Sequence, residues 1–227
     1  MKNSSKLIFM SIAFVMFFSV VGVQESHAQL NQILKRMDAH KKALSSLKAN
    51  IQMAKTDVLL DETDVTSGTV KYVPRKGRDA YVRIDWTNPV NESLAVANGQ
   101  YVLYVPRRKE AFVGKTSEAG KGSSQNNLLR FMYMSKAELK RNFRMQYLGV
   151  EEVKSNKMWH LRLFPKTKAS FKIADLWVDK DGMPRQVKIT EKNDDTSVIL
   201  LSNIDKNKSI KAKDFKVSLP KGTKIIR

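Results

Sequence analysis

The fold of this chain is decided by residues 80–104, AYVRIDWTNPVNESLAVANGQYVLY. Apolar and polar side chains alternate over 80–86, which is the period of a β-strand with one buried face. Two more apolar runs, 94–96 and 101–104, are separated by Asn98-Gly99. Because these two residue types tolerate a positive φ, they favour a tight hairpin turn. The stretch therefore predicts three consecutive antiparallel strands.

The same alternation recurs on both sides of this stretch. Further strands are predicted at 49–53, 68–73, 111–113, 145–149, 158–164, 176–178, 186–191 and 198–205. Apolar residues at helical spacing predict an amphipathic helix from Leu30 to Leu47. Ser135 and Glu138 form a capping box that opens a short helix ending near Asn142. The predicted fold is mainly β: ten or eleven antiparallel strands in a curved sheet, with helices to cover its concave face.

The beginning of the chain has the layout of a secretory signal peptide. Lys2 and Lys6 precede a stretch without charge, 7–23, and small residues around Ala28 suit a cleavage site. We expect a signal peptide over 1–28, a single mature domain over 29–227, and a location in the periplasm. The alternative is an uncleaved membrane anchor, since 17 residues are at the short end of what spans a bilayer.

Composition narrows the functional classes. The chain has no cysteine, so it carries neither a disulfide nor the residue on which a bacterial lipoprotein is acylated. Its 41 basic and 22 acidic residues give a net charge of +19, which attracts anionic partners. For an exported protein, anionic lipids or acidic proteins fit this charge better than nucleic acid does, and we expect no nucleic-acid partner. A surface that only prevents aggregation is the other interpretation.

The order of features resembles the LolA family of periplasmic carriers of outer-membrane lipoproteins. No single piece is specific, but their ordered combination covers roughly 180 residues. The matching pieces are Ala49-Asn50-Ile51, Gly68 to Pro74, Arg83 to Trp86, Pro89, Val96 to Gly99, Tyr101 to Tyr104, Leu176 to Asp179, Gly182, Pro184, Leu201 to Ile204, Asn207, Phe215, Pro220 and Gly222.

The resemblance implies an incomplete, unclosed antiparallel β-barrel whose apolar interior is lidded by α-helices. It also implies a chaperone and transport function: the carrier takes a lipoprotein from an inner-membrane transporter, shields its acyl chains and passes it to an outer-membrane receptor. In the family an arginine that helps to hold the lid precedes the proline matching Pro74, and here that position is Val73. Arg75 or Arg83 is a candidate substitute, in contact with the lid or with a lipid headgroup.

The candidate wall of the lipid cavity follows from strand alternation. It consists of Trp86, Leu94, Val96, Leu103, Leu161 and Leu163. For each of these residues an ordinary core position is the alternative, because sequence does not tell which apolar face of a curved sheet lines a cavity.

A mobile loop rich in glycine, serine and lysine is predicted over 115–127, followed by a dense apolar cluster. Methionine in this cluster suits an irregular lipid site because its side chain is flexible and polarizable. We predict a lid formed by Leu128, Leu129, Phe131, Met132 and Met134. The alternative is a core contact where the insertion docks.

Enzymatic patterns are weak. His40 and His160 follow the predicted cleavage site without the spacing of metal ligands, and the chain has no nucleophile elbow and no phosphate loop. We therefore expect a non-enzymatic monomer without a cofactor or a metal. A lipid-sensing regulatory module, like the domain of this fold in the envelope-stress regulator RseB, a carrier of free lipid, and a scaffold with a filled interior are the alternatives.

Overall fold

The computed structural model describes residues 21–76, 79–117, 131 and 134–227, and in this part of the chain it contains two α-helices and twelve β-strands. The helices are α1 (Val21–Ala43) and α2 (Lys136–Asn142). The strands are β1 (Leu47–Asp57), β2 (Glu62–Val73), β3 (Tyr81–Asn88), β4 (Glu92–Ala97), β5 (Gln100–Val105), β6 (Glu110–Lys115), β7 (Phe143–Val153), β8 (Asn156–Pro165), β9 (Phe171–Val178), β10 (Pro184–Glu191), β11 (Thr196–Lys206) and β12 (Lys224–Ile226).

All twelve strands belong to one sheet in the order β12-β6-β5-β4-β3-β2-β1-β11-β10-β9-β8-β7. β12 and β7 are the two edges and do not pair, so the sheet is not closed into a barrel. Every neighbouring pair is antiparallel except β12, which runs parallel to β6. The predicted unclosed barrel is confirmed. The strand count was too low, because a three-residue strand has no alternation long enough to detect.

One face of the sheet, the inner face, carries the hydrophobic core. Side chains from β1 to β3 and from β7 to β11 join a single buried cluster with α1. α1 contributes Leu30, Ile33, Leu34 and Met37 to this cluster. The helix also packs against β7 and α2. Burying this apolar stripe, and not helix propensity, is what stabilises α1.

The predicted end of α1 at Leu47 was wrong. The helix ends at Ala43, and Leu47 is the first residue of β1, paired with Tyr72 of β2. Leu47 is buried in the same core as the helix residues, so its apolar character fits both periods. The alternation of buried and less buried residues in β1 already begins at Leu47 and continues with Ala49. Leu47 therefore belongs to the strand and not to the helix.

Two local predictions are confirmed. The side chain of Ser135 accepts a hydrogen bond from the backbone N–H of Glu138, and the Glu138 carboxylate accepts one from the backbone of Ser135, which completes the capping box of α2. Asn98 and Gly99 have φ values of 53° and 75° and join β4 to β5. Both residues thus adopt the left-handed conformation that a tight hairpin requires.

The segment after β11 crosses the outer face of the sheet. A 3₁₀ turn, Ala212–Phe215, contacts β3 and β4. Phe215 is buried there, with its ring centroid 5.4 Å from that of Tyr81. The chain then reaches β12, which extends the sheet beyond β6.

Candidate functional site

The register of the strands shows which predicted wall residues share a face. Directly paired residues of adjacent strands point to the same side of a sheet. Ile84 pairs with Leu94, Leu94 with Leu103, and Leu103 with Phe112. Since Ile84 belongs to the core, this row lies on the inner face. Val96 pairs with Val82, which packs against the same core.

The predicted wall residues divide into two groups by burial. Leu161 and Leu163 of β8 are fully buried in the core, and Trp86 of β3 is 5% exposed. Leu94, Val96 and Leu103, on β4 and β5, are less deeply buried than these three residues. The described residues therefore fill the inner face around β8 and cover it less over β4, β5 and β6.

Among the described residues, this less covered part of the inner face forms a pocket of about 710 Å³. This volume falls within the roughly 300–1,000 Å³ of typical ligand sites. Its wall is largely apolar, and the two turns at this end of the sheet contribute its rim. The lining residues are Pro89, Val90, Asn91, Glu92, Leu103, Val105, Arg107, Arg108 and Phe112. Of the predicted wall, only Leu103 lines this pocket.

Two charged residues at the rim are paired with each other. Arg108 Nη2 lies 2.6 Å from Oε2 of Glu110, and the guanidinium carbon of Arg108 lies 5.5 Å from the centre of the Phe112 ring. Arg108 thus covers an aromatic wall residue while its charge faces a carboxylate. Such an arrangement places polar groups at the mouth and leaves the wall apolar.

Of the predicted lid, Leu128, Leu129 and Met132 lie outside the described residues. Phe131 is buried, with its ring centroid 5.5 Å from that of Phe143. Met134 is partly buried against the same core. These contacts are with core residues at the β7 end of the sheet, whereas the pocket lies at the other end, so the assignment of 128–134 as a lid stays a prediction.

The two candidate arginines lie away from the inner face. Arg83 alternates with the core residue Ile84, and it donates hydrogen bonds to Asp85, to Ser93 and, at 2.8 Å, to the backbone carbonyl of Lys216. Arg83 therefore ties the C-terminal segment to the outer face. Burial alone would raise the pKa of Asp85, but hydrogen bonds from Arg83 and Ser93 outweigh burial and lower that pKa.

Arg75 lies over the ring of Tyr81, with 4.5 Å between the guanidinium carbon and the ring centre. It also donates a hydrogen bond of 3.2 Å to the side chain of Asn98. Neither candidate arginine contacts Phe131 or Met134 in the described part of the chain. A role of either one in holding a lid or a headgroup stays a prediction.

A buried polar cluster lies on the outer face of β7, β8 and β9. His160 Nδ1 lies 2.6 Å from Glu151 Oε1, and His160 Nε2 lies 2.9 Å from Asp175 Oδ1. Arg162 Nε donates to Asp175 at 2.8 Å, and Trp177 Nε1 donates to Glu151 at 2.7 Å. The polar groups of the cluster thus satisfy one another's hydrogen-bonding capacity.

Charge in this cluster shifts the pKa of its members in opposite directions. Burial alone would lower the pKa of His160, but its hydrogen bonds to Asp175 and Glu151 outweigh burial and raise it. Burial alone would raise the pKa of Asp175, but hydrogen bonds from His160 and Arg162 outweigh burial and lower it. The hydrogen bonds of the cluster join β7, β8 and β9 on the outer face of the sheet.

The described part of the chain contains neither a cluster of metal ligands nor a helix suited to span a membrane. No group of three or more histidine, aspartate or glutamate side chains there is placed to hold a metal ion. None of its helices is long and apolar enough to cross a membrane.

Sequence reasoning missed most of the pocket. Val105 extends the predicted run 101–104 by one residue and Phe112 lies within the predicted strand 111–113, so alternation could have included both. Pro89 and Val90 lie in the β3–β4 turn, and Arg107 lies in the turn between β5 and β6. Nothing in the sequence indicates that these two turns face the same cavity, because they are brought together by three strand pairings.

Fold and pocket together define the class of protein: an unclosed β-barrel with helices packed on its inner face and an apolar pocket at one end. Within this class the chain belongs to the LolA family. The family model described as "Outer membrane lipoprotein carrier protein LolA" matches residues 42–218, which confirms the resemblance. A search of curated protein sequences found no match.

Solved structures with a similar fold have very different sequences. An uncharacterized conserved protein from Thermus thermophilus is 11% identical with a TM-score of 0.56, over 88% of this chain and 99% of that chain. MucB, in the Pseudomonas aeruginosa MucA/MucB complex, is 8% identical with a TM-score of 0.52, over 84% of this chain and 61% of that chain. At these identities the likeness concerns the fold alone.

Proposed function

We propose that this protein is a non-enzymatic periplasmic carrier that shields the acyl chains of lipoproteins between the inner and the outer membrane. The observation that carries the proposal is the 710 Å³ apolar pocket on the inner face of an unclosed sheet. Each methylene moved from water into such a site gains about 0.8 kcal/mol. Acyl chains therefore bind through buried area, and directional hydrogen bonds contribute little.

Position within the fold supports this proposal. α1 fills the inner face near β7, and the pocket lies over β4 to β6, so a ligand can enter without unfolding the core. Residues that line the pocket belong to strands in the rigid sheet and to two short turns. A small adjustment of the turns would change access to the pocket while the sheet stays intact.

Export fits the packing of α1. The core residues of this helix, from Leu30 to Met37, all follow Ala28. Cleavage after Ala28 would therefore leave the described core complete. The proposed partners are an inner-membrane lipoprotein-releasing transporter and an outer-membrane receptor, as the resemblance to the LolA family implies.

Three measurements test the proposal. The purified mature protein is extracted with organic solvent and analysed by mass spectrometry, and binding of a fluorescent fatty acid is titrated. The same protein is then incubated with spheroplasts to measure lipoprotein release into the soluble fraction. Capture of a lipoprotein supports the carrier. Lipid binding without capture would indicate a free-lipid carrier or a lipid-sensing module, and no binding at all would indicate a scaffold.

A further inference from the structure

The rim of the pocket carries positive charge from the turn between β5 and β6. Arg107 and Arg108 both line the pocket. They belong to a 3₁₀ turn, Pro106–Arg108, which Lys109 closes in the left-handed conformation with a φ of 51°. Proline at the start fixes the turn, so three consecutive cationic residues are held at one place beside the apolar wall.

β12 adds a cation to this turn. The backbone N–H of Lys224 donates a 2.9 Å hydrogen bond to the carbonyl of Lys109, and Lys224 is aligned with Glu110 in the parallel register. Because aligned residues of neighbouring strands share a face, the Lys224 side chain lies on the same side of the sheet as Glu110 and Phe112. Lys224 is exposed, so its ammonium group is accessible to a ligand at the mouth.

The charges at the rim do not cancel. Glu110 is paired with Arg108 at 2.6 Å. Within the described residues no carboxylate forms an ion pair with Arg107, Lys109 or Lys224, and Glu92 is the acidic residue in the pocket lining. Arg107 thus lines the pocket beside Leu103, Val105 and Phe112 without such a pair, and Lys109 and Lys224 lie on the adjoining turn and strand.

We propose that the pocket takes a lipid with a phosphate headgroup, whose acyl chains lie against Leu103 and Phe112 and whose phosphate binds Arg107 and Lys224. This inference rests on the proposed function, because it uses the same acyl-chain pocket, and it adds a phospholipid to the ligands that the pocket takes. Guanidinium and ammonium groups form short, charge-assisted hydrogen bonds with phosphate oxygens. An amphiphile with an anionic head matches both parts of the site, whereas the acyl chains of a lipoprotein would use only the apolar wall.

The test compares three ligands that share the same acyl chains: phosphatidylglycerol, diacylglycerol and a synthetic triacylated peptide. Each displaces a pyrene-labelled diacylglycerol from the mature protein, at low and at high salt. We expect phosphatidylglycerol to bind roughly tenfold more tightly than diacylglycerol at low salt, the size expected for a hydrogen bond to a charged group. The difference should shrink at high salt because partly exposed charges are screened.

The variant Arg107→Gln with Lys224→Gln leaves the Arg108–Glu110 pair intact. It should lower the affinity for phosphatidylglycerol by roughly tenfold and leave that for diacylglycerol unchanged. The control is Lys213→Gln with Lys216→Gln, which removes the same charge from exposed positions of the segment on the outer face. This control should keep the preference for the phospholipid.

The outcomes separate the two proposals. If no lipid binds, the proposed function itself is wrong. Equal binding of phosphatidylglycerol and diacylglycerol would overturn the headgroup site and leave the acyl-chain carrier in place. An equal loss of affinity for phosphatidylglycerol in the rim variant and in the control would also overturn the headgroup site. The preference for the phospholipid would then come from the net charge of the whole protein.

Discussion

His160 Nε2 lies 2.9 Å from Oδ1 of Asp175, and both residues are buried on the outer face of the sheet. The other ring nitrogen of His160 faces Glu151, 2.6 Å away. Ionised carboxylates only accept hydrogen bonds, so a ring that satisfies both must carry a proton on each nitrogen. The positive imidazolium form is therefore the one that this cluster stabilises.

The pH dependence of stability follows from that pairing. Hydrogen bonds to carboxylates outweigh burial and raise the pKa of His160 above its ordinary value of 6.5. The stability it contributes should be complete below about pH 6.5 and be lost as the pH rises through the folded-state pKa. His160→Gln should lower the free energy of unfolding more at about pH 6 than at about pH 9, measured by urea denaturation.

His40 provides the control for this prediction. It is partly buried, and burial together with Lys206 lowers its pKa. Its protonation therefore opposes folding, and His40→Gln should not reproduce the pH dependence of the His160 variant. A loss of stability in His160→Gln that is equal at both pH values would contradict the protonated cluster.

Packing of α1 on the inner face is tested by truncating Ile33, which has no exposed surface. Ile33→Ala should lower the free energy of unfolding by about 2–5 kcal/mol, because it leaves a cavity between the helix and the sheet. The exposed neighbour Lys35 is the matched control, and Lys35→Ala should change stability by less than about 0.5 kcal/mol. Chemical denaturation of both variants measures the difference; similar values would mean that α1 does not dock as described.

The pocket wall is tested at Leu103, the predicted wall residue that lines the cavity. Leu103→Gln should weaken binding of a fluorescent fatty acid by roughly tenfold, because a polar amide must be desolvated inside the pocket. Leu148→Gln makes the same change at a position exposed on the edge strand β7 and should bind like the wild type. The site would be misplaced if both variants lost affinity equally.

The C-terminal segment is anchored by Phe215, which is buried against Tyr81. Phe215→Ala should lower the free energy of unfolding by about 3–5 kcal/mol if the segment unfolds together with the sheet. Because lysines surround this position, trypsin should cleave the segment faster in the variant. Ser218→Ala, a change of a small side chain in the same segment, should show wild-type cleavage. Unchanged proteolysis of Phe215→Ala would show that Arg83 alone holds the segment.

Gly68 permits the close approach of β2 and β3. A Cβ atom at this position would overlap the backbone carbonyl oxygen of Asp85. Gly68→Ala should therefore destabilise the protein by about 1–3 kcal/mol, since backbone must shift to accept it. A Cβ atom at Gly99 would contact no neighbouring atom. Gly99→Ala should therefore lower the free energy of unfolding only by the strain of a positive φ, about 1–2 kcal/mol. Thermal unfolding measures both variants, and an unchanged stability of Gly68→Ala would contradict the close approach of the two strands.

Sequence alone could place most elements because their signals are local. Alternation over 80–86 fixes which side chains of β3 share a face, and Asn98-Gly99 fixes the following hairpin. The end of α1 was misplaced because Leu47 suits both a helical and a strand period. Phe112 was left out of the candidate site because its strand looked short and its neighbours in space were unknown.

What the sequence determined by itself is most of the strands and turns, the apolar side of each predicted strand, and the resemblance to the family. Only the tertiary structure decided which part of the inner face is filled and which is open. Leu103 and Leu161 have the same apolar side chain in the same alternating pattern, but α1 packs on the inner face near β8 and does not extend over Leu103, which lines the pocket. Which part of the inner face is filled depends on the order of strands in the sheet. This order arises from pairings between segments far apart in the chain, for example between Lys224 and Glu110.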